Sequence, residues 1–361
     1  MSRRIAFTSS LFVLLSISPA FAHHPGGAGN TGGAGPIVTI SATTLDAGHG
    51  AVAFVYEYIK FGGIGNADLI DAASKHIHAH SIGTIQAPSV AVAYGITDDL
   101  MVAARLPWVR RTDIREGHHS HGPGGDVVDF RGDTSGIGDL TLLGQWRFFN
   151  NRQSATEAAF LFGIKAPTGA TNRNDVFGAL FEAEFQPGSG SWDPMFGVAL
   201  TQRFGAWSFD SSMLYIIARR GTQDINLGDR FQYNAAVSYR LFGYQAPVSL
   251  TSPVMSHGPV PHRHAHPLDK LPGKGPVPAA PQWIVDAILE LNGEWHDYER
   301  NGPTRDLNTG GNTLLFSPGL RVARGPVQAF ASVGIPIFSR VNGIQSKTEY
   351  RVLTGLAFAF E

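Results

Sequence analysis

The chain contains no cysteine. Disulfides therefore cannot staple it, and thiolate metal sites are excluded. Beyond residue 22, no run approaches the roughly 18 apolar residues of a spanning helix. Charge is also scarce. Charged residues make up 16% of the chain and the formal net charge is -1. That is too little, and too balanced, for an acidic disordered chain or a nucleic-acid binder. Fixed catalytic signatures are missing as well. There is no HExxH, and Gly62-Gly63-Ile64-Gly65 lacks the helix and lysine of a phosphate loop. A barrel lipase would need a Ser–His pair, and His296 is a lone inward histidine without a diagnostic serine motif. No enzyme, and no cofactor other than a divalent metal, is expected.

What is present is glycine, 43 of 361 residues, with 11% aromatics, a composition that suits a β-barrel. The first residues read MSRRIAFTSSLFVLLSISPAFA. A basic start, an apolar core and a small-x-small end at Ala20-Phe21-Ala22 predict a signal peptide over 1–22. Residues 23–47 begin with HHPGGAGNTGGAG and are expected to form a flexible arm. The barrel is expected over 48–361.

The stretch 136–169 carries the clearest pattern. Asp139, Thr141, Gln145 and Arg147 fall on one side of an extended chain; Leu140, Leu142, Trp146 and Phe148 fall on the other. After the polar break NNRQSA, Glu157, Gly163 and Lys165 oppose Ala158, Phe160, Phe162 and Ile164. Period two means strands, and these are longer than a globular sheet usually uses. Charge on one face and aromatic or aliphatic side chains on the other fit a wet lumen and a lipid exterior.

Continuing the alternation predicts an all-β, up-and-down antiparallel transmembrane barrel of about twelve strands. Besides this hairpin, strands are expected near 51–61, 83–95, 100–110, 195–204, 207–219, 230–242, 282–298, 312–324, 327–338 and 348–360. Residues 282–298 also fit a helical period, but strict alternation through Trp295 favours a strand. Residues 177–185 are assigned to a long loop over 168–192, which keeps the count even. Other long loops fall at 62–82 and 112–135. Short turns follow the even strands, except for a Pro/His-rich periplasmic insert at 245–281. Both termini and the short turns then share the periplasmic side.

The segments GIGDLTLLGQWRF (136–148), KAPTG (165–169), GSGSWDPMFGVALT (188–201), GDRFQYNAAVSYRL (228–241), LELNGEW (289–295) and LLFSPGL (314–320) resemble a family of Gram-negative outer-membrane barrels. That family is named for the meta-pathway of phenol degradation. The ending LAFAF resembles an outer-membrane assembly signal, although Glu361 follows the usual terminal Phe. The resemblance implies a channel or transporter in the outer membrane and assigns no functional residues. The partners expected are outer-membrane lipid, the outer-membrane assembly machinery, and a small solute or metal ion.

Two candidate sites follow. The lumen lining is expected to include Glu57, Arg105, Asp139, Arg147, Glu157, Lys165, Arg203, Asp210, Arg230, Arg240, Glu290, Glu294, Arg321, Glu349 and Arg351. Their mixed signs fit either a selective pore or acid–base ladders that fill a narrow barrel. Histidine clusters form the second: His76, His78 and His80; His118, His119 and His121; His257, His262, His264 and His266. If extended, 76–80 places its three imidazoles on one side, and imidazole suits Zn, Cu and Ni. The function expected is a channel for small solutes, aromatic or hydrophobic compounds among them. The alternatives are divalent-metal transport or sequestration through the histidine loops, and a plugged structural or adhesin-like barrel.

Overall fold

The computed structural model describes residues 35–119, 125–243 and 283–360. The expected signal peptide, the insert 245–281, and His121, His257, His262, His264 and His266 lie outside the described residues.

Alternation makes the wall. Its strands are β1 (Gly50–Gly62), β2 (Ser89–Thr97), β3 (Leu100–His118), β4 (Leu140–Asn151), β5 (Thr156–Ala166), β6 (Asp193–Phe204), β7 (Trp207–Ile216), β8 (Arg230–Phe242), β9 (Trp283–His296), β10 (Gly311–Arg324), β11 (Val327–Val341) and β12 (Lys347–Phe360). Each pairs antiparallel with its neighbour in sequence, and β1 pairs with β12 from Gly50↔Phe360 to Gly62↔Lys347. The ring is closed. An open edge in hydrocarbon would leave unpaired backbone groups, each costing several kcal/mol. Among the described residues no helix is long and apolar enough to cross a membrane; the crossing is made by strands.

Side chains sort by face as the period requires. On β1, Phe54 is 63% exposed while Glu57 is 2% exposed. Residues 283–296 form a strand that pairs along β8 and β10, so alternation outweighs the helical period there. Trp146, Trp207 and Trp283 stand on the outer face near the short turns. Trp108 and Trp192 lie toward the other end. Together they give the outer apolar face its two interfacial belts.

Three expectations change. First, 112–135 is not simply a loop. β3 runs on to His118, and Val127–Ile137 folds back along it as a raised hairpin. The register slips between Arg111 and Ile114, where Asp113 has φ 56°, and that bulge breaks the alternation that would have revealed the strand. Second, 62–82 contains a helix, α1 (Asn66–Ser74), which buries Leu69, Ala72 and Ala73 beside the raised hairpin. Gly117 makes that approach possible, since a Cβ there would lie 2.2 Å from the Leu69 carbonyl oxygen. Third, residues 35–47 are not a flexible arm. They run inside the barrel, and Ile40, Ala42 and Leu45 are almost fully buried.

Residues 177–185 stay out of the wall, as expected. The stretch 167–192 connects β5 to β6 and holds a short 3-10 turn at Ala183–Phe185. Phe181 and Phe185 turn inward and pack on Ile114.

Candidate functional site: the lumen and its mouth

The lumen lies between two inserted segments. Below, residues 37–45 cross it without a partner strand, so their backbone groups need other partners. Glu290 supplies one set, accepting from the amides of Ile37 at 3.1 Å, Val38 at 3.0 Å and Thr39 at 2.9 Å. Ser212 accepts from Ile40 N at 3.2 Å, and Thr201 from Ala42 N at 2.8 Å. Gln145 donates to the carbonyls of Ser41 and Thr43, each at 3.0 Å. The apolar side chains of the segment fall on three patches of inner wall. Ile37 and Val38 meet Ile288, Phe330 and Leu353. Ile40 meets Leu143, Leu161, Met195 and Leu214. Leu45 sits among the alanines of β1, β2 and β3, whose small side chains leave it room.

Above, the 167–192 loop is tied down at both ends by one carboxylate. Asp139 accepts from Gly169 N at 2.9 Å, from Ser189 N at 2.8 Å and from Ser189 Oγ at 2.6 Å. Gly169 and Gly188 touch backbone to backbone, since a Cβ on Gly169 would lie 2.5 Å from the Gly188 Cα. The GIGDL, PTG and GSG segments thus meet at one point. Beneath the 167–192 loop is a cavity of about 270 Å³, lined by residues 183–189 of that loop, by the wall and by the mouth loops. Phe61, Ile85, Val109, Met195 and Ile216 give it apolar walls; the cations Arg105, Arg111, Lys165 and Arg230 face it together with the acids Glu57, Asp139, Glu184, Asp193, Glu299 and Asp306. His296 also lines it, with Nε2 2.6 Å from the Leu227 carbonyl oxygen.

The other lumen charges sit mostly in acid–base ladders. Asp286 lies between Arg240 and Arg321, at 2.7 Å from each. Glu157 lies between Arg147 at 3.4 Å and Arg203 at 3.5 Å. Lys165 reaches Asp193 at 2.5 Å and Asp139 at 3.6 Å. Arg105 stands 3.9 Å from Glu57, and Arg351 donates to Asn292 at 2.9 Å. Glu294 accepts from Gln232 at 2.7 Å, and Asp210 accepts from Thr201 at 2.6 Å. Asp193 does not figure in the expected lining. It is the first residue of β6, where alternation has not yet begun. Glu349 is a correction. The register slips there, Lys60 pairing with Tyr350 and Phe61 with Thr348, and this bulge leaves Glu349 exposed on the outside.

At the mouth, the histidines divide. His76, at φ 56°, turns away from the other two and meets the His119 ring edge-on at 4.6 Å between centroids. His119 Nδ1 lies 2.7 Å from Asp126, and His118 is exposed. The expected triad of 76, 78 and 80 therefore does not form. His78 and His80 converge instead on acids. His78 Nε2 lies 3.0 Å from Glu116, while His80 Nε2 lies 3.4 Å from Glu182 and its Nδ1 3.2 Å from Glu184. Burial pulls the His80 imidazole down, but its bonds to Glu116 and Glu184 outweigh that and hold it well above the usual histidine range. The bond to Glu116 raises His78 as well. Burial, with Glu184, Glu182 and Asp306 nearby, pushes the Glu299 carboxyl up to about 9. The acidic partners are hard to foresee from sequence. Glu116 comes from the raised end of β3, and Glu182 and Glu184 from the FEAEF of the inward loop.

A closed ring of strands with an apolar, aromatic outer face and a paired, polar inner one has a single solvent arrangement: hydrocarbon outside, water and inserts inside. The chain is an outer-membrane β-barrel. Residues 89–250 match the family described as "Putative MetA-pathway of phenol degradation", so the resemblance read from the sequence holds over that stretch. No curated protein matches the chain by sequence. Among solved structures, the barrel is similar to an outer-membrane channel from Pseudomonas putida F1. The two share 16% identity, the match covers 88% of this chain and 98% of that one, and the TM-score is 0.52. Looser likenesses include the β domain of the Bordetella autotransporter BrkA, with 11% identity, coverage of 87% and 100%, and TM-score 0.42. Another is the Ralstonia pickettii toluene transporter TbuX, with 10% identity, coverage of 93% and 97%, and TM-score 0.41.

Proposed function

We propose that this outer-membrane barrel is a passive channel for small solutes of aromatic or hydrophobic character, closed at rest by residues 35–47. The observation that carries the reading is the cavity beneath the 167–192 loop. At about 270 Å³ it exceeds the roughly 150 Å³ apolar cavity that takes up benzene. Its walls combine Phe61, Ile85 and Met195 with Arg105 and Lys165, which suits a ring bearing a polar substituent. The family's description, with its reference to phenol degradation, supports the same cargo class. Ladders such as Arg240–Asp286–Arg321 neutralise much of the wall, so strong ion selectivity is not expected.

The test is uptake by intact cells, where the lipopolysaccharide leaflet slows apolar solutes. Initial uptake of radiolabelled phenol is measured in a channel-deficient Gram-negative host with and without the full chain. Faster uptake with the chain, saturable by unlabelled toluene, is the expected result. Equal rates in both strains would remove the proposal.

A further inference from the structure

His78, His80 and Glu184 line the mouth side of the cavity, and the geometry of the histidine–carboxylate cluster there suggests a task besides solute passage. Four side chains from three separated segments place one potential ligand atom each within 4.8 Å of all the others: His78, His80, Glu116 and Glu182. A tetrahedral zinc ion with N and O ligands at roughly 2.0–2.2 Å requires ligand atoms about 3.3–3.6 Å apart. The measured separations bracket that figure. They are 3.0 Å from His78 Nε2 to Glu116, 3.4 Å from His80 Nε2 to Glu182, and 3.9 Å from His80 Nε2 to Glu116.

The groups behind these four are also arranged as a metal site needs. A ligating histidine usually gives its other ring nitrogen to a carboxylate, which fixes the tautomer and aims the free nitrogen. His80 does this, its Nδ1 facing Glu184 at 3.2 Å while Nε2 faces Glu116 and Glu182. Glu116 is oriented likewise, one oxygen toward the histidines and the other 3.4 Å from Arg131. His80 and Glu116 are largely buried, at 15% and 12% side-chain exposure, whereas His78 and Glu182 are open at 56% and 44%. An inner pair is thus preset and an outer pair can close over an ion. Ordinary ion pairing does not require this convergence, since two histidines here face three carboxylates.

We infer that His78, His80, Glu116 and Glu182 form a binding site for a divalent transition-metal ion, zinc fitting best, with Glu184 as the positioning partner of His80. Two nitrogen and two oxygen donors without thiolate suit zinc and exclude soft-metal selectivity. Bound there, the ion joins the 62–82 segment, the raised end of β3 and the inward 167–192 loop.

The experiment is calorimetric titration of ZnCl2 into the metal-stripped full chain in detergent. The chain has 14 histidines, and any of them can add to the zinc signal, so the readout is the loss of one equivalent on substitution. Glu182→Gln and His80→Ser are each expected to weaken one zinc equivalent by at least 100-fold. Glu184→Gln weakens the same equivalent by about 10–100-fold, and His76→Ser leaves it unchanged. MgCl2 in excess should not displace it. Heat-modifiable electrophoretic mobility reports whether each barrel is folded. Glu182 lies in a loop outside the wall, so Glu182→Gln decides the matter if His80→Ser fails to fold. Unchanged zinc stoichiometry and affinity in folded Glu182→Gln would overturn the site.

Discussion

Asp139 is the residue on which the upper closure turns, and removing its carboxylate should free the inward loop. It accepts three hydrogen bonds, two of them from backbone amides at opposite ends of the loop. A hydrogen bond to a charged group contributes about 1.5–3 kcal/mol net. The three act on one carboxylate and water can replace part of them, so they do not add in full. A loss of about 3–4 kcal/mol is reasonable, which at 1.4 kcal/mol per tenfold multiplies the undocked fraction by roughly 10² to 10³. The chain has no cysteine, so a single Ala183→Cys gives a unique probe. Ala183 is 3% exposed in the docked loop. Its thiol-labelling rate should rise by the same roughly 10² to 10³ in Asp139→Ala, and by less in Asp139→Asn, which keeps one acceptor oxygen. Unchanged labelling in a folded Asp139→Ala barrel would refute the claim that this carboxylate holds the loop.

Other outcomes follow from the same geometry. Gly169→Ala should speed Ala183→Cys labelling with Asp139 intact, because the new Cβ would meet the Gly188 Cα at 2.5 Å; no acceleration would show that the loop base can yield. Glu290→Ala should raise amide exchange at 37–39 by roughly 10² or more, since three amides lose a buried carboxylate. Exchange at 40–45, held by separate contacts, should change far less, and a uniform change would argue against independent anchoring. Glu299 is an acid raised from 4.5 to about 9. Between those values the unfolded chain has released the proton and the folded chain keeps it, so stability falls as pH rises through that window. Glu299→Gln should therefore flatten the decline of thermal stability between about pH 5 and pH 9, and an unaltered pH profile would contradict the assignment.

The wall was legible because each strand has two unlike solvents, and a period of two records both. Where the chain departs from strict pairing, the record blurs. The bulge at Asp113 hid the upper half of β3, and the bulge beside Tyr350 turned Glu349 outward. Residues 35–47 were obscured for another reason. Their neighbours up to residue 35 are rich in glycine and alanine, and composition spreads that character over the whole arm. The run Ile37-Val38-Thr39-Ile40 is β-branched throughout and signals an extended, buried segment. Nothing local says that its partners would be Glu290, Ser212 and Thr201 across the lumen. The mouth was half legible. The i, i+2 spacing brings His78 and His80 together, but Glu116 and Glu182 arrive by tertiary folding, and the left-handed turn at His76 removes the third imidazole.

On the function proposed above, the barrel encloses a conduit closed from within by residues 35–47. Single-channel recording in planar bilayers tests it most directly, comparing the full chain with one lacking 35–47, both verified as folded barrels. Small or rare openings are expected for the full chain, and a steady conductance several-fold larger for the deletion. Equal conductance in the two, or no pores from the folded deletion barrel, would contradict it.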